Sequence, residues 1–401
     1  MKKMAAVVAL MAVFSLAICF IIIGSISVEL MGALKIDAGQ LGSLIMALFL
    51  TSCIVQLIIG PLVDKFGYKP IAVLGFVVAA GSLFLLALAT TFGLAKLACV
   101  LLGIGAMCLN TVGNTLIPIV LFKGQDPARA SNLGNAFFGL GYVLTPLLFT
   151  VFLKTLKLSL AVSISIFGAL VVVFLLFALT TKFPPAAIGY KFSMAFKLLG
   201  KGAVLLAGLA LICYMSLEVS MGTWIKKLMT DLLGGEAVAG AVAKAGLALS
   251  LFGVAMMVGR FLASTMKNLT AVGDKVIMAM SLLSVLAIVG MTVTKSPALA
   301  IVAILVTGLA FAPIFPTVVG VTFAKFEASL YGSIFGIIFA VGLLGGTFVP
   351  KFIGNLSVGR SVQSSLPVAA VAAGILFVIS LFIGRVGRPK KADQAPRQPS
   401  L

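Results

Sequence analysis

Apolar runs of roughly 20–30 residues recur along the whole chain, with mostly short polar intervals between them. A run of that length is what an α-helix needs to cross the hydrocarbon core of a bilayer, whereas barrel strands alternate over ~10 residues. Of the 401 residues, 62% are hydrophobic and only 10% are charged. Soluble globules carry far more charge, so the sequence predicts an all-α integral membrane protein embedded in a lipid bilayer.

The apolar runs number twelve, and we label them helix 1 to helix 12. The first six are predicted at Met4–Ala33, Gly39–Leu62, Pro70–Phe92, Leu94–Phe122, Ala128–Lys154 and Leu158–Thr181. The second six are predicted at Gly202–Thr230, Val238–Ser264, Ala271–Val293, Pro297–Phe323, Ser329–Asn355 and Val362–Val386. The longest polar interval, 182–201, contains two prolines and four lysines. We predict that it links an N-terminal six-helix bundle, residues 1–181, to a C-terminal six-helix bundle, residues 202–386.

Basic residues are distributed unequally between the two sides of the predicted membrane. If the N-terminus is cytoplasmic, 19 of the 29 lysines and arginines lie on the inner side, with Arg260 counted at an inner helix end. This excess satisfies the positive-inside rule. The sequence therefore predicts a multi-pass protein of the inner (plasma) membrane with cytoplasmic termini and a basic tail at 387–401. Membrane topology also accounts for the net charge of +19, so nucleic-acid binding is not predicted.

The interval after helix 2 carries the most specific motif, GPLVDKFGYK from Gly60 to Lys69. Its glycines permit close helix approach and a tight turn, while an aspartate with basic neighbours can bond to a nearby helix end. A degenerate counterpart, GRFLAS from Gly259 to Ser264, ends predicted helix 8, the repeat equivalent of helix 2. The residues predicted to form a conformational latch are Gly60, Asp64, Lys65, Gly67, Lys69 and Arg260.

The helix 2–3 loop resembles the signature G-x-L-x-D-(R/K)-x-G-x-(R/K) of the major facilitator superfamily, at the position where that family has it. Three segments resemble the superfamily's fucose permease-like group, the fucose–galactose–glucose proton symporters: GAMCLNTVGN at 105–114, NLGNAFFG at 132–139 and E-x-S-x-G-x-W at 218–224. The resemblance implies two pseudo-symmetric six-helix bundles that alternate access to a site between them. It also implies a secondary transporter that carries a sugar or a similar small polar solute by proton symport.

Two acidic residues, Glu29 and Glu218, lie inside apolar runs, both predicted towards the outer ends of helices 1 and 7. A carboxylate in such a run must be paired, hydrated or protonated, so both are candidates for proton coupling. The alternatives are a structural hydrogen bond for Glu218 and a place in the outer vestibule for Glu29. The permease after which the group is named has an acid in helix 4, where the matching position here is Asn110. Its proton site therefore does not carry over.

Sugar sites combine amide side chains, which donate and accept hydrogen bonds, with aromatic surfaces. Asn110 and Asn114 share a face of helix 4 and either bind solute opposite Glu218 or pair with neighbouring helices. Tyr142 lies nearer the midplane, and Trp224 is either an aromatic wall beside Glu218 or an interfacial anchor. The further candidates for substrate binding are Asn135, with gating as its alternative role, and Gln40, Gln56 and Phe311.

Other functions compete with sugar transport. Lys244, inside predicted helix 8, either snorkels to the surface or favours an organic anion or acidic sugar as substrate. A drug or metabolite exporter shares the superfamily loop, although Pro146 lacks the glycine of the exporters' helix 5 motif. A sensor that has a transporter fold but does not transport is a less favoured alternative, because such a protein is expected to carry a soluble signalling domain in addition.

No enzymatic chemistry is predicted from this sequence. The chain has no histidine, no nucleophile motif, no phosphate-binding loop and five cysteines without a C-x-x-C pair. We therefore expect no enzyme, no cofactor and no metal site. The expected partners are a small-molecule substrate, protons and the lipid bilayer, and the protein is predicted to be a monomer.

Overall fold

The computed structural model describes residues 2–36, 38–185, 197–198, 200–235, 237–238, 240–357 and 360–386. Within these ranges twelve helices are long and apolar enough to cross a membrane, which confirms the predicted number. The described residues form helices and connecting turns without any strand, so the all-α prediction is confirmed as well. Most of the predicted linker, 182–201, and the whole basic tail, 387–401, lie outside the described residues.

In the first half, the predicted helices are present but several boundaries differ. Helix 1 is Lys2–Ser25 with a short continuation at Ser27–Leu34, and helices 2 to 6 are Ala38–Phe66, Tyr68–Ala87, Phe92–Val120, Pro127–Thr150 and Leu160–Thr180. The prediction of one unbroken helix 1 was wrong. Helix 3 ends at Ala87 rather than Phe92, because the Thr91 hydroxyl accepts a hydrogen bond from the Leu94 amide (3.3 Å) and caps helix 4.

In the second half, prolines and glycines move the boundaries. Helices 7 to 9 are Gly202–Leu232, Ala241–Thr265 and Leu269–Val293, helix 10 is Pro297–Phe311 with Ile314–Phe323, helix 11 is Tyr331–Leu356, and helix 12 is Val362–Ser365 with Pro367–Ile383. Helix 10 was predicted to be continuous, but Pro313 and Pro316 lack the amide hydrogens that an unbroken helix needs. Helix 8 begins after Gly240, whose φ of 78° a side chain would disfavour.

Each half packs mainly on itself, and the two halves meet along two seams. Helix 2 packs against helix 11 in one seam, and helix 5 packs against helices 8 and 10 in the other. The loops between helices 2–3, 4–5, 8–9 and 10–11 lie on the same side as the predicted linker. We call this side the linker end and the opposite side the far end.

The seam between helices 2 and 11 depends on backbone contact at Gly60 and Gly332. A methyl group added to Gly60 would overlap the Gly332 carbonyl oxygen, and one added to Gly332 would overlap the Gly60 carbonyl oxygen. At Gly336, one turn further along helix 11, an added methyl group would lie 3.1 Å from the Gln56 carbonyl oxygen. Only glycine allows helices to approach so closely, so the motif glycine at position 60 sets the distance between the halves here.

We predict that Gly60→Ala lowers the melting temperature of the purified protein, because the added methyl group meets backbone that cannot give way. Forcing a methyl group into a packed interface costs about 1–3 kcal/mol. Gly81→Ala in helix 3 is the matched control, since a methyl group there would have no neighbouring atom within 4 Å. Thermal unfolding followed by circular dichroism in detergent measures both variants, and equal melting temperatures for the two would contradict the prediction.

Candidate functional site

Four amide side chains from three helices form a continuous hydrogen-bonded row, which we call the amide ladder: Gln56, Asn110, Asn114 and Asn135. Asn110 Nδ2 donates to Gln56 Oε1 (3.2 Å), and Asn114 Nδ2 donates to Asn110 Oδ1 (2.9 Å). Asn135 Nδ2 then donates to Asn114 Oδ1 (3.3 Å). All four are buried. The ladder therefore ties helices 2, 4 and 5 together inside the first half.

Arg260 of helix 8 continues this row into the second half. Its Nη1 donates to the Asn135 carbonyl (3.5 Å), and its Nη2 donates to Glu218 Oε1 (3.1 Å) and to the Tyr214 hydroxyl (3.2 Å). The residue is 3% exposed. Arg260 was predicted as a latch residue near the end of helix 8, and it lies five residues before that end. Its burial between the two halves was not predicted, and it makes Arg260 the partner of Glu218.

The break in helix 10 supplies a further acceptor for the guanidinium group. In a regular helix the Ala312 carbonyl would accept from the amide of residue 316, but Pro316 has no amide hydrogen. Arg260 Nε donates to this freed carbonyl at 3.4 Å. Buried backbone carbonyls and arginine N–H groups both need hydrogen-bond partners. Here the carbonyl left free by the proline accepts from the buried guanidinium, so each group has a partner.

Glu218 is the accessible member of the ion pair. Its side chain is 25% exposed, against 4% for Arg260. It lies near the middle of the 31-residue helix 7, and in the candidate span Gly202–Ile225 it is nearer the Ile225 end, so its position towards the outer end of the helix stays a prediction. The Tyr214 hydroxyl, which accepts from Arg260, also hydrogen-bonds to Glu218. From helix 5, Tyr142 is 43% exposed, and its neutral phenol group lies close enough to Glu218 to be affected by the negative charge of the carboxylate.

The other predicted substrate residues lie elsewhere. Trp224 Nε1 donates to the Pro350 carbonyl of helix 11 (3.1 Å), and six residues place it about 240° around helix 7 from Glu218, so it does not form a wall beside that acid. Phe311 is fully buried against Tyr214 and does not face an accessible surface in this conformation. Lys244 is exposed in the first turn of helix 8, about 24 Å along that helix from Arg260.

Four further candidates are found at the periphery. Gln40 is exposed in the first turn of helix 2, and Glu29 is half-buried in the short helix that continues helix 1. Lys65 and Lys69 are exposed on either side of Gly67, whose φ of 83° makes the tight turn between helices 2 and 3. Among the residues that the structure describes, no cluster of metal-binding side chains occurs.

At the linker end, Asp64 bonds the first half to the start of helix 11. Its carboxylate accepts from the amides of Gly332 (2.8 Å) and Ser333 (2.7 Å) and from the Ser333 hydroxyl (2.5 Å). The first amides of a helix lack intrahelical partners and carry partial positive charge. A buried carboxylate is a strong acceptor for them, so this contact joins the halves across the helix 2–11 seam.

A second aspartate, Asp126, makes the equivalent contact in the other seam. It accepts from the amides of Leu269 (2.9 Å) and Thr270 (2.9 Å) and from the Thr270 hydroxyl (2.6 Å), and it also caps its own helix through Arg129 (3.2 Å). Arg129 Nε donates to the Ser264 carbonyl at the end of helix 8 (2.7 Å). No role was predicted for Asp126 from the sequence. An aspartate followed by a proline is typical of a helix start and could have identified it as a cap, but the pair does not tell which other helix the aspartate bonds to.

The two aspartates are related by the symmetry of the fold. Asp64 lies in the last turn of helix 2 and caps helix 11, whereas Asp126 lies between helices 4 and 5 and caps helix 9. When helices 1–6 are matched to helices 7–12, the 2–3 loop corresponds to the 8–9 loop and the 4–5 loop corresponds to the 10–11 loop. The two contacts are therefore equivalent under the symmetry of the fold. Each seam is thus closed at the linker end by a carboxylate of the first half on a helix start of the second.

We predict that Asp126→Ala and Asp64→Ala each shift the protein away from the conformation closed at the linker end. Losing a charge-assisted hydrogen-bond set removes about 1.5–3 kcal/mol, a roughly 10- to 100-fold change in the equilibrium. Spin labels at Lys69 and Lys275, both exposed, report the separation of the halves by double electron–electron resonance. Asp231→Ala is the control, because the ion pair with Lys227 that it removes is partly exposed and lies within one helix. Distance distributions identical to wild type in both test variants would contradict the prediction.

Comparisons with known proteins agree with this architecture. The family model of the Major Facilitator Superfamily matches residues 8–350. The structure is similar to that of FucP, a transporter of this superfamily in the outward conformation, with a TM-score of 0.78 and 17% identity over 95% of this chain and 98% of that one.

Two further solved structures are similar to this chain. One is a variant of the E. coli fucose:proton symporter FucP, with a TM-score of 0.75 and 17% identity over 94% of this chain and 99% of that one. The other is the human organic anion transporter MFSD10, with a TM-score of 0.76 and 14% identity over 94% and 99%. Among curated proteins, none matches the sequence significantly. On the family match and the twelve-helix fold, the chain belongs to the major facilitator superfamily.

Proposed function

We propose that the chain is a secondary transporter that moves a small polyhydroxylated solute, such as a sugar, by proton symport. The observation that carries the proposal is the row of polar contacts that runs from the amide ladder through Arg260 to the accessible carboxylate of Glu218. This row crosses between the two halves inside helices that are long and apolar enough to span a membrane. Polar and charged groups are costly there, and they mark solute and proton pathways in membrane proteins.

The chemistry of the row suits hydroxyl groups. Amide side chains both donate and accept, as sugar hydroxyls do, and the exposed ring of Tyr142 offers a surface for the apolar face of a sugar. The ladder amides are already bonded to one another. A solute therefore first meets Glu218 and Tyr142, and then competes for the Asn135 and Asn114 end of the ladder.

Alternating access supplies the transport step. The contacts of Asp64, Asp126 and Arg260 across the seams hold the linker end closed, so the exposed faces of Glu218 and Tyr142 are reached from the far end. Rocking the halves the other way breaks these contacts and opens the linker end. We assign the linker end to the cytoplasm of an inner (plasma) membrane on the basic-residue distribution, and we take the monomer as the transporting unit.

Glu218 is assigned the coupling proton. It is a carboxylate inside the candidate span Gly202–Ile225, and it can exchange a proton with water through its exposed surface while Arg260 stabilises its charged form. Protonation weakens the bond to Arg260, which also contacts the first half through Asn135. Binding of the proton is thereby linked to the contact between the halves. FucP, which has a similar fold, is described as a fucose:proton symporter.

The experiment is uptake into proteoliposomes under an inside-alkaline pH gradient, with a panel of neutral sugars and sugar acids. We predict that Glu218→Gln abolishes concentrative uptake of the transported solute but retains solute counterflow, because counterflow needs alternating access without net proton movement. Asp231→Asn is the control: this acid lies in the last turns of the same helix, is 28% exposed and pairs with Lys227, so the variant should accumulate solute as wild type does. Proton-driven accumulation by Glu218→Gln at the wild-type level would remove Glu218 from the coupling role.

A further inference from the structure

We infer that the transported solute carries a carboxylate, and that Arg260 binds it in place of Glu218. The substrate class is then a sugar acid or a similar polyhydroxylated carboxylate rather than a neutral sugar. This inference rests on the proposed function and narrows its substrate. It follows from the charges of Arg260 and Glu218 and from the greater exposure of Glu218 to an arriving solute.

With both side chains ionised, the site has no net charge. Arg260 contributes one positive charge and Glu218 one negative charge, and they are joined by a single bond of 3.1 Å. The remaining partners of the guanidinium are the neutral Tyr214 hydroxyl and two backbone carbonyls, of Asn135 and Ala312. The amide ladder beyond them is neutral too.

A coupling proton on Glu218 removes the only negative charge described in contact with Arg260. The guanidinium is 4% exposed and would then be a buried cation without a counterion, which is strongly unfavourable. A neutral sugar cannot compensate this charge. A solute carboxylate can, and it presents two oxygens in the geometry that arginine binds best. One proton and one monoanion together return the site to neutrality.

The same balance makes proton and solute binding mutually dependent. Protonated Glu218 releases the Arg260 donor that the solute carboxylate takes, and a bound carboxylate in turn favours the protonated form of Glu218. By thermodynamic linkage each increases the affinity for the other by the same factor. A transporter with this site couples the two without any further ion-binding group.

The geometry allows this exchange. The Glu218 side chain is 25% exposed and that of Arg260 is 4% exposed, so an arriving solute reaches the carboxylate more readily than the guanidinium. Tyr142 is exposed nearby, and Phe138 lies 6.1 Å from its ring, which provides an apolar surface for the body of the solute. The charged or titratable groups that the structure places against Glu218 are Arg260 from helix 8, Tyr214 from its own helix and Tyr142 from helix 5.

The test compares neutral sugars with acids of the same configuration: D-glucose with D-glucuronate and D-gluconate, and D-galactose with D-galacturonate and D-galactonate. Proteoliposomes with an inside-alkaline gradient are expected to accumulate at least one acid, with at least a tenfold preference over its neutral counterpart. Binding of that acid, followed by the fluorescence of the single tryptophan or by thermal shift, should strengthen at least tenfold from pH 7.5 to pH 5.5. Sugar acids stay ionised over this range, since carboxyl pKa values lie near ~4.

Two variants locate the carboxylate. Glu218→Gln should bind the acid with equal affinity at both pH values, because Arg260 is then always available. The double variant Glu218→Gln/Arg260→Gln keeps the site neutral, avoids an unpaired buried charge, and should lose acid binding by at least tenfold. Unchanged acid binding in the double variant would place the carboxylate elsewhere and overturn the inference.

The uptake results separate this inference from the proposed function. Accumulation of neutral sugars without uptake of, or competition by, their acids would overturn the inference and leave proton-coupled sugar transport standing. Failure of every neutral sugar and every acid to accumulate would overturn both. Accumulation of an acid, lost in the double variant, would support both.

Discussion

A guanidinium group buried between two membrane-embedded bundles determines much of this structure. Arg260 cannot be left without partners in a medium that supplies no water, and its five donors need acceptors from the protein. Helix 7 supplies Glu218 and Tyr214, helix 10 supplies the Ala312 carbonyl freed by Pro316, and helix 5 supplies the Asn135 carbonyl. One side chain thereby joins three helices of its own half to the other half.

The contacts at the linker end and the contacts of Arg260 both join the two halves. They do so at different distances along the helices, and both would have to break when the halves rock apart. Asp64 and Asp126 close the two seams by capping helices 11 and 9, and the Gly60–Gly332 contact lets the first seam close fully. Arg260 adds a contact between the halves at the level of Glu218. Protonation of Glu218, or binding of a solute beside it, would therefore alter the contact between the halves through Arg260, which bonds to both Glu218 and the first half. Transport by alternating access needs such a link between binding and closure.

Sequence reasoning predicted the parts of this protein that depend on composition and local chemistry. The number of helices and the all-α fold follow from apolar run lengths, and the family resemblance of the GPLVDKFGYK loop agrees with the match to the major facilitator superfamily. Glu218 was identified because a carboxylate in an apolar run needs a partner. Boundary errors arose where one side chain or one glycine decides the end of a helix, as at Thr91 and Gly240.

Long-range pairings could not be deduced in the same way. Arg260 and Glu218 are 42 residues apart, and hydropathy gives the length of a helix but not its rotation about its axis. The same limit explains why Trp224 was expected beside Glu218 although its indole bonds to helix 11, and why the contact of Asp126 with helix 9, over 143 residues, was missed. Helix 10 was predicted to be continuous, and even with the break at Pro313 and Pro316 in view, the sequence does not tell which side chain bonds to the freed carbonyl.

The central claim is that Arg260 and Glu218 are an interdependent buried pair, and a double-mutant cycle in thermal unfolding tests it most directly. Removing one member of a buried pair costs about 3–5 kcal/mol because the other charge is left uncompensated, whereas removing both restores neutrality. We expect Arg260→Gln to lower the melting temperature more than the double variant Glu218→Gln/Arg260→Gln does. Additive effects, with the double variant melting below both single variants, would contradict the claim.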